Sequence, residues 1–309
     1  MQIVDFHIGK LPSIKADAMC IGKFDGIHLG HEALLRKCKE VAGHGTCAVL
    51  TFQPLPFVFF GKTELLIYTE EEKEHVVQHY GIDFFFRLKF DEELSKMNGE
   101  DFLQYILKIT KNIVVGEDFR FGYKQGYCVD DLLALQNQFG YKAHIVEKVA
   151  SGNAKASSTQ LKNFIADGNF EEYEKVSTTP FFAMGEVISG MKMAGEVLGF
   201  PTANVILPNN KIMPPFGVYA TSTEAGGIHY KSVSNYGIKP TVANANIPIL
   251  ETHLLNFNDN LYGKKITVSF LKKIRNEQKF ENINQLQFQI SKDIKTATLF
   301  HRQYENNKI

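Results

Sequence analysis

The sequence has no excess of charge of either sign. Its 309 residues include 34 lysines and arginines and 34 aspartates and glutamates, so the formal net charge is +0. A protein whose main partner is a nucleic acid usually carries a basic field that attracts the phosphate backbone. The balance of charge therefore argues against nucleic acid as the main partner.

Cysteines and long apolar runs are also scarce. The four cysteines, Cys20, Cys38, Cys47 and Cys128, form no C-x-x-C pair, and three of them lie in apolar periodic segments, as buried thiols in a reducing compartment do. The amino terminus shows no basic stretch followed by a long apolar run, and no apolar run approaches the length of a membrane span. We therefore expect a soluble cytoplasmic protein with no signal peptide and no membrane partner.

The hydrophobic content of 44% supports substantial cores in one large domain or two ordinary ones. Up to about Val149, segments with strand-like and helix-like patterns alternate. Strands are predicted at 18–21, 46–52, 82–88, 112–116 and 143–149, and helices at 31–41, 69–80, 100–110 and 130–139. This alternation with short connections predicts a doubly wound parallel sheet that binds ligands at the carboxyl ends of its strands.

The pattern changes near Thr179-Pro180, where helical periodicity gives way to short strands and frequent turns. Strands are predicted at 184–189, 217–221, 232–236, 249–255 and 265–270, and a last helix at 283–297. Antiparallel strands of this length followed by one helix predict a small closed β-barrel with a C-terminal helix. The predicted domains are residues 1–180 and 181–309.

The stretch IGKFDGIHLGH, residues 21–31, joins an apolar strand to an amphipathic helix. Its glycines and histidines are Gly22, Gly26, Gly30, His28 and His31. A glycine-rich turn that opens a helix lets backbone N–H groups approach an anion, which the helix dipole also favours. Two exposed histidines in an ordinary turn are the alternative interpretation of H-x-x-H alone.

The full string from Asp25 to His31 resembles the signature of the H-x-G-H nucleotidylyltransferases. The preceding residues narrow the resemblance to the adenylyltransferase half of the bacterial bifunctional riboflavin kinase/FAD synthetases. The resemblance implies adenylyl transfer without a covalent enzyme intermediate, helped by donors aimed at the charge on the α-phosphate. It also implies that His28 and His31 are catalytic. The ATP-binding residues implied here are Gly22, Phe24, Asp25, Gly26 and Gly30.

Two later loops resemble the flavin-binding loops of the same family. They are FQPLP at 52–56, where Leu55 stands in place of the usual histidine, and VGEDFRFG at 115–122. The flavin-binding residues implied by this resemblance are Phe52, Pro54, Pro56, Asp118 and Phe121.

The segment ASSTQLK, residues 156–162, opens another predicted helix. A helix N-cap is the simpler interpretation of its serines. By resemblance to the S-S-T-x-x-R segment of the family, Ser158, Thr159 and Lys162 bind the ATP phosphates. Lys162 stands where arginine is usual, so it keeps the charge but loses the bidentate fork.

The second half carries GEVLGFPTAN at 195–204, NYGIKPT at 235–241 and ETHLL at 251–255. This set resembles riboflavin kinase, with Glu196 where arginine is frequent. The resemblance implies that Glu251 is the general base. Oxygen ligands from a Pro-Thr-Ala-Asn turn suit Mg²⁺, and the implied metal ligands are Thr202 and Asn204. The implied ATP-binding residues are Gly195, Gly199, Pro201, Thr202 and Asn204, and the implied flavin-binding residues are Asn235 and Arg275.

Taken together, the motifs cover essentially the whole chain and imply a bifunctional enzyme. Riboflavin and ATP would give FMN and ADP, and FMN and ATP would then give FAD and pyrophosphate, with Mg²⁺ as cofactor and ATP as co-substrate. We expect riboflavin, FMN, FAD and ATP as partners and a monomer or weak homo-oligomer. Two alternatives stay open. One is a homologue with a single activity, in which Leu55 and Lys162 place the adenylyltransferase more in question. The other is a non-catalytic flavin sensor.

Overall fold

The computed structural model describes residues 1–62, 64–151, 154–188, 200–240 and 246–306. Its contacts divide the chain into two compact units. The first comprises Met1–Ser158 and Val176–Thr178, and the second comprises Thr159–Lys175 and Thr179–Ile309. The predicted domain limits differ from these units chiefly in the helical stretch 159–175, which the contacts group with the second unit. Residues 1–180 and 181–309 as independent domains stay a prediction.

The first unit contains the predicted parallel sheet. Its six strands are β1 (Gln2–Phe6), β2 (Ala18–Ile21), β3 (Cys47–Gln53), β4 (Phe84–Lys89), β5 (Asn112–Gly116) and β6 (Lys142–Val146), in the order β1-β4-β3-β2-β5-β6. The sequence analysis missed β1. This edge strand leaves most of its side chains exposed, so it lacks the continuous apolar run that marks a buried parallel strand.

The centre of this sheet is a topological switch point. β2 pairs with β3 on one side and with β5 on the other, both in parallel. Ligands of open parallel sheets bind at the carboxyl ends of strands beside such a point. The loops that begin at Gly22 and Glu117 follow β2 and β5. The H-x-G-H turn and one predicted flavin loop therefore leave the sheet side by side.

Seven α-helices of the described residues lie in the first unit. They are α1 (Leu29–Ala42), α2 (Pro56–Phe59), α3 (Glu70–Gln78), α4 (Glu92–Lys96), α5 (Gly99–Ile106), α6 (Val129–Ala134) and α7 (Gln136–Phe139). α3 begins with a capping box, as predicted: the Thr69 hydroxyl accepts from the Glu72 amide at 3.2 Å, and the Glu72 carboxylate accepts from the Thr69 amide at 2.8 Å. The single helix predicted at 130–139 is instead the pair α6 and α7. A short hairpin, β7 (Ala150–Ser151) and β8 (Ala154–Lys155), follows the sheet.

The second unit contains the predicted closed barrel. Its strands are β9 (Phe182–Ile188), β10 (Ala203–Ile206), β11 (Gly217–Ala225), β12 (Ile228–Pro240), β13 (Asn246–Leu254) and β14 (Lys265–Asn276), in the order β10-β13-β12-β11-β14-β9. The prediction of a Pro-Thr-Ala-Asn turn was wrong, because Ala203 and Asn204 begin β10 and pair with Thr252 and Glu251. Proline ahead of small polar residues is typical of a turn, but here β13 and β9 supply pairing partners on both sides.

Helices cover the outside of this barrel. α8 (Ser158–Asp167) and α9 (Phe170–Val176) precede it, and α10 (Ile283–Asn306) follows it. Phe170 of α9 stacks on Phe181 with ring centroids 5.9 Å apart and meets Phe270 at 5.5 Å. Ala297 of α10 packs in a cluster with Val218. Of the helices that the structure describes, none is both long enough and apolar enough to cross a membrane.

Candidate active sites

The H-x-G-H turn is organised around the ring of His28. This residue is the N-cap of α1, and its Nδ1 accepts hydrogen bonds from the amides of Gly30 at 3.1 Å and His31 at 3.3 Å. The ring of His31 stacks on it with centroids 3.9 Å apart. The structure therefore brings both predicted catalytic histidines together at a helix N terminus, where negative charge is favoured.

The hydrogen bonds assign different tautomers to the two rings. Backbone amides only donate, so Nδ1 of His28 carries no proton and its Nε2–H is a donor. A carbonyl oxygen only accepts, so Nδ1–H of His31 donates to the carbonyl of Gly26, 2.6 Å away. In its neutral form, His31 therefore has a lone pair on Nε2. The two histidines look equivalent in the motif, but they offer a ligand different groups.

Both rings are held in their neutral forms. Burial and, to a lesser extent, the neighbouring His31 together lower the pKa of His28 to about 3. Burial lowers the pKa of His31 to about 4; the hydrogen bond to Gly26 opposes this shift and the positive charge of Lys73 adds to it. The Lys73 side chain is only 1% exposed and pairs with Glu70 at 3.0 Å. The buried cation Lys73 thus acts on His31, and this role was not predicted from the sequence.

Two glycines are required by the geometry of the turn. Gly26 has a φ of +80°, a backbone conformation that residues with a Cβ rarely adopt. At Gly30, an added Cβ would lie 3.0 Å from Nδ1 and Cε1 of His28. A side chain at residue 30 would therefore push against the His28 ring that caps α1.

Gly22 and Phe24 support the histidines from behind. The Phe24 ring is fully buried and lies 5.0 Å from the His31 ring. An added Cβ at Gly22 would lie 3.0 Å from the Phe24 ring. Phe24 as a whole is 0% exposed, so its ring serves the packing of the turn, and its contact with ATP stays a prediction.

Neighbouring segments of the first unit hold the turn. The buried Asp25 accepts a hydrogen bond from the Ile67 amide at 2.8 Å. The Ser158 hydroxyl donates to the carbonyl of Asp25 at 2.6 Å, and the Ser177 hydroxyl donates to the carbonyl of Ile27 at 3.2 Å. Asp25 and Ser158, both predicted ATP-binding residues, therefore also shape the turn. Their contacts with ATP stay predictions.

The first predicted flavin loop follows β3 and carries an aromatic surface. Phe52 is half-buried and meets Phe90 edge to face at 5.9 Å. Pro54 is exposed, and Pro56 is the first residue of α2. Phe60 is 65% exposed and packs on the same Phe90 ring at 5.9 Å. Phe52, Pro54 and Pro56 were predicted from the sequence as flavin contacts, whereas Phe60 and Phe90 were not.

The second predicted flavin loop follows β5. Asp118 is exposed and pairs with Lys148 at 3.3 Å. Its charge also raises the pKa of His28 against the effect of burial, so this loop acts on the histidine pair. Phe121 is only 6% exposed and stacks on Phe119 at 5.5 Å. Its side chain belongs mainly to the core, and its contact with flavin stays a prediction.

The remaining predicted phosphate ligands of this half lie on α8. Ser158 is the first residue of this helix, Thr159 is exposed in its first turn, and Lys162 is half-buried one turn later. By their contacts Thr159 and Lys162 belong to the second compact unit. Their role in ATP binding stays a prediction.

Strand register builds the candidate site of the second unit. Glu251 on β13 lies opposite Asn204 on β10 and opposite Asn235 on β12. Residues directly opposite on antiparallel strands share one face, with Cβ atoms about 4.5–5.5 Å apart. The structure therefore places the predicted base between a predicted metal ligand and a predicted flavin contact. We call these three residues the kinase row.

Side chains also fix the segment that leads into β10. The Asn204 amide nitrogen donates to the carbonyl of Thr202 at 3.3 Å, and Nδ1 of His253 donates to the carbonyl of Pro201 at 2.8 Å. Since its nitrogen is used in this way, the amide oxygen of Asn204 is the atom that can face a cation. His253 belongs to the ETHLL motif, but only the structure shows that it ties Pro201 to β13.

Arg275 on β14 is bound to the C-terminal helix. Its Nε donates to both carboxylate oxygens of Asp293 at 3.0 Å, and its Nη2 donates to one of them at 2.8 Å. Asp293 is only 3% exposed and also accepts from Gln289 at 2.8 Å. Arg275 thus links α10 to the barrel, and its predicted contact with flavin stays a prediction.

Comparisons with known proteins cover both halves of the chain. A family model of FAD synthetase matches residues 11–160, and one of riboflavin kinase matches residues 177–301. The bifunctional riboflavin kinase/FMN adenylyltransferase of Bacillus subtilis (strain 168) is 35% identical over 302 residues, which covers 94% of each chain. The protein of the same name from Escherichia coli (strain K12) is 34% identical and covers 91% of this chain and 92% of its own. This chain belongs to the bifunctional riboflavin kinase/FMN adenylyltransferase family.

A solved structure also resembles the whole chain. The crystal structure of a protein described as a macrolide-efflux protein from Streptococcus pneumoniae has a TM-score of 0.82 at 28% identity, covering 95% of this chain and 98% of that chain. This chain therefore shares its fold with a solved structure over almost its whole length.

Some family motif positions lie outside the described residues. They are the predicted ATP-binding residues Gly195 and Gly199, and Glu196, which departs from the riboflavin kinase pattern. Leu55, the departure in the first flavin loop, is 2% exposed. A buried leucine at this position packs inside the unit, so no polar contact with flavin comes from it.

Proposed function

We propose that this bifunctional family member catalyses both reactions for which its relatives are named. The second unit phosphorylates riboflavin to FMN, and the first unit transfers AMP from ATP to FMN to give FAD. One observation carries the proposal: a single chain holds both a capped histidine pair at a helix N terminus and the kinase row. A flavin sensor would need neither arrangement.

In the kinase reaction, Glu251 accepts the proton of the primary hydroxyl of riboflavin. The hydroxyl oxygen forms a bond to the γ-phosphorus of ATP, while the bond from this phosphorus to the ADP oxygen breaks. Asn204 and Asn235 flank the carboxylate across the sheet. The amide group of Asn235 can orient both the base and its substrate.

Mg²⁺ fits the donor atoms of this site. The hydroxyl of Thr202 and the amide oxygen of Asn204 are hard oxygen ligands, and Mg²⁺ takes its other ligands from phosphate and water. When bound, the ion neutralises charge on the transferred phosphate. These two residues would hold it beside Glu251, which is in register with Asn204.

In the adenylyl transfer, an oxygen of the FMN phosphate attacks the α-phosphorus of ATP, and pyrophosphate leaves. The Nε2–H of His28 can donate to a non-bridging oxygen where negative charge develops, and the N terminus of α1 adds a favourable field. Because His28 is already oriented by two amides, its donor costs little reorganisation during the reaction.

The small-molecule partners, oligomeric state and compartment of the enzyme complete the proposal. Riboflavin, FMN, FAD and ATP are its small-molecule partners, and the enzyme acts as a monomer or weak homo-oligomer because one chain holds the residues proposed for both sites. All four cysteines are free thiols, and Cys20, Cys38 and Cys47 are buried. Free thiols are compatible with a reducing cytoplasm.

Incubation of the full chain with riboflavin, ATP and Mg²⁺, followed by chromatography, tests the proposal. We expect FMN to form first and FAD to follow. FMN without FAD, even from supplied FMN, would indicate a homologue with kinase activity alone. Bound riboflavin with no product would instead identify a flavin sensor.

A further inference from the structure

The interior of the barrel contains a line of hydroxyl groups where apolar side chains are usual. Five serines and threonines are 0% exposed: Thr221 and Thr223 on β11, Ser232 and Ser234 on β12, and Thr252 on β13. We call this set the hydroxyl ladder. Buried hydroxyls are tolerated only when they are hydrogen-bonded.

The hydroxyl ladder is one chain of hydrogen bonds. Its successive Oγ atoms are separated by 2.8 Å from Thr223 to Ser232, 2.8 Å from Ser232 to Thr221, 2.8 Å from Thr221 to Ser234 and 2.9 Å from Ser234 to Thr252. Each hydroxyl can donate one bond and accept others, so neighbouring rungs determine one another's orientation. Such buried networks are rigid because no water competes for their partners.

One end of the hydroxyl ladder lies directly under the kinase row. Ser234 pairs with Thr252, and the next pair along the same two strands is Asn235 with Glu251. Successive residues of a strand point to opposite faces. The hydroxyl ladder therefore crosslinks β12 and β13 inside the barrel at the point where these strands present Asn235 and Glu251 on the other face.

The far end of the hydroxyl ladder offers a natural reference. Thr223 is also 0% exposed and also makes one ladder hydrogen bond, to Ser232. Its neighbours are not candidate site residues. Thr223 and Thr252 are thus the same residue type, equally buried and equally bonded, and they differ in their distance along the ladder from Glu251.

We propose that Thr252 is a positioning residue of the kinase reaction, whose hydroxyl bond to Ser234 holds Glu251 and Asn235 in register for proton transfer. This inference rests on the proposed role of Glu251 as general base. A general base must lie within hydrogen-bond reach of the proton that it accepts. A small shift of β13 against β12 therefore moves Glu251 away from that proton and lowers turnover more than it weakens substrate binding.

The matched variants Thr252→Val and Thr223→Val, made in the full chain, test the inference. Valine keeps the shape of threonine and removes one end of the hydroxyl ladder in each case. We expect Thr252→Val to lower kcat for FMN formation by about 10- to 100-fold with little change in KM, the scale of a misplacement of up to 1 Å. Thr223→Val should keep kcat near wild type at a similar loss of stability, and Thr252→Ser should restore most of the turnover.

A purely structural role predicts something else: the two valine variants would lose stability and kcat to the same extent. That result would overturn the inference. Glu251→Gln, measured alongside, separates this outcome from failure of the proposed function, because wild-type turnover in Glu251→Gln would show that Glu251 is not the general base.

If Thr252→Val does not fold, Ser234→Ala removes the same hydrogen bond from its other partner, and the same drop in kcat is expected. FAD formation from supplied FMN reports in each preparation that the first unit is intact.

Discussion

The two candidate sites of this chain are built in opposite ways. In the first unit, His28, His31 and their supporting glycines lie within one turn, and hydrogen bonds within that turn orient the rings. In the second unit, Glu251, Asn204 and Asn235 come from three strands and meet only through strand register. A site made by one turn depends on local backbone conformation, whereas a site made across strands depends on every element that sets the register.

The two sites also differ in their response to a small change in backbone structure. In β-structure, a slip of one residue moves each side chain to the opposite face, so Glu251 would enter the barrel interior and Thr252 would take its place. In the turn, a substitution of Gly26 or Gly30 changes the cap of a single helix. Substitutions in each site, a truncation and a change of pH test this contrast.

Glu251→Gln should lower FMN formation by about 10²- to 10⁴-fold, the usual contribution of a general base. The amide keeps the shape of the side chain and one acceptor oxygen, so riboflavin binding should change little. Initial rates of FMN formation and a flavin titration measure both effects. FAD formation from supplied FMN should be unchanged, and near-normal kinase turnover would remove Glu251 from the mechanism.

His28→Asn should lower FAD formation by about 10²- to 10³-fold, the scale of one lost donor at developing charge. Asparagine is a good N-cap, so α1 should keep its stability. The matched variant His28→Ala removes the donor and the cap together, and it should also lower the free energy of unfolding by about 0.5–2 kcal/mol. Activity assays and urea denaturation separate the two roles. Full FAD synthesis by His28→Asn would show that the ring is not the donor.

Two fragments test which helices the barrel needs. Residues 159–309 and 181–309 both contain the kinase row, but the shorter fragment lacks Phe170, which is 2% exposed and stacks on Phe181. We expect both to phosphorylate riboflavin and the shorter one to be less stable by about 3–5 kcal/mol, the cost of deleting one buried phenylalanine. Urea denaturation gives the difference. Equal stability would mean that the first helices do not belong to the second folding unit.

Lys162→Ala should weaken apparent ATP binding in adenylyl transfer by about 1.5–3 kcal/mol, the range for a hydrogen bond to a charged group. Lys162→Arg should maintain or improve binding, because arginine can make two parallel bonds to a phosphate. ATP saturation curves for conversion of FMN to FAD measure the effect, and riboflavin phosphorylation serves as the control. An alanine variant with wild-type affinity would show that Lys162 does not contact the triphosphate.

The histidine pair should titrate far below the usual pH range. The pKa values of about 3 for His28 and about 4 for His31 lie below the ordinary value near 6.5. Between pH 6.5 and these lower values, the unfolded chain binds more protons than the folded chain, because only its histidines are protonated. The stability that the two neutral histidines contribute is therefore complete above pH 6.5 and is lost as the pH falls toward 4 and 3. Proton NMR of the ring signals should show neutral rings at pH 5. Urea denaturation should give a smaller loss of stability from pH 7 to pH 5 in His28→Asn than in wild type; midpoints near 6.5 would contradict the prediction.

Features that depend on near neighbours could be predicted from the sequence alone. Glycines at fixed spacing ahead of an amphipathic segment predicted the turn and the helix that follows His28, and Thr69 with Glu72 predicted the capping box of α3. The alternation of patterns predicted the parallel sheet, and the short strands predicted the barrel. Each of these signals arises from residues only a few positions apart, whose side chains and backbone groups interact whatever the rest of the chain does.

The tertiary structure was needed to show which distant residues meet. It placed Asn204 and Asn235 beside Glu251, turned the predicted Pro-Thr-Ala-Asn turn into strand β10, and grouped Phe170 with the barrel. It also showed that His28 and His31 have different tautomers and that the charge of Lys73 lowers the pKa of His31. The physical reason is that strand pairing and burial are set by partners far along the chain. An alternating segment states which face it buries, but not the strand against which it pairs.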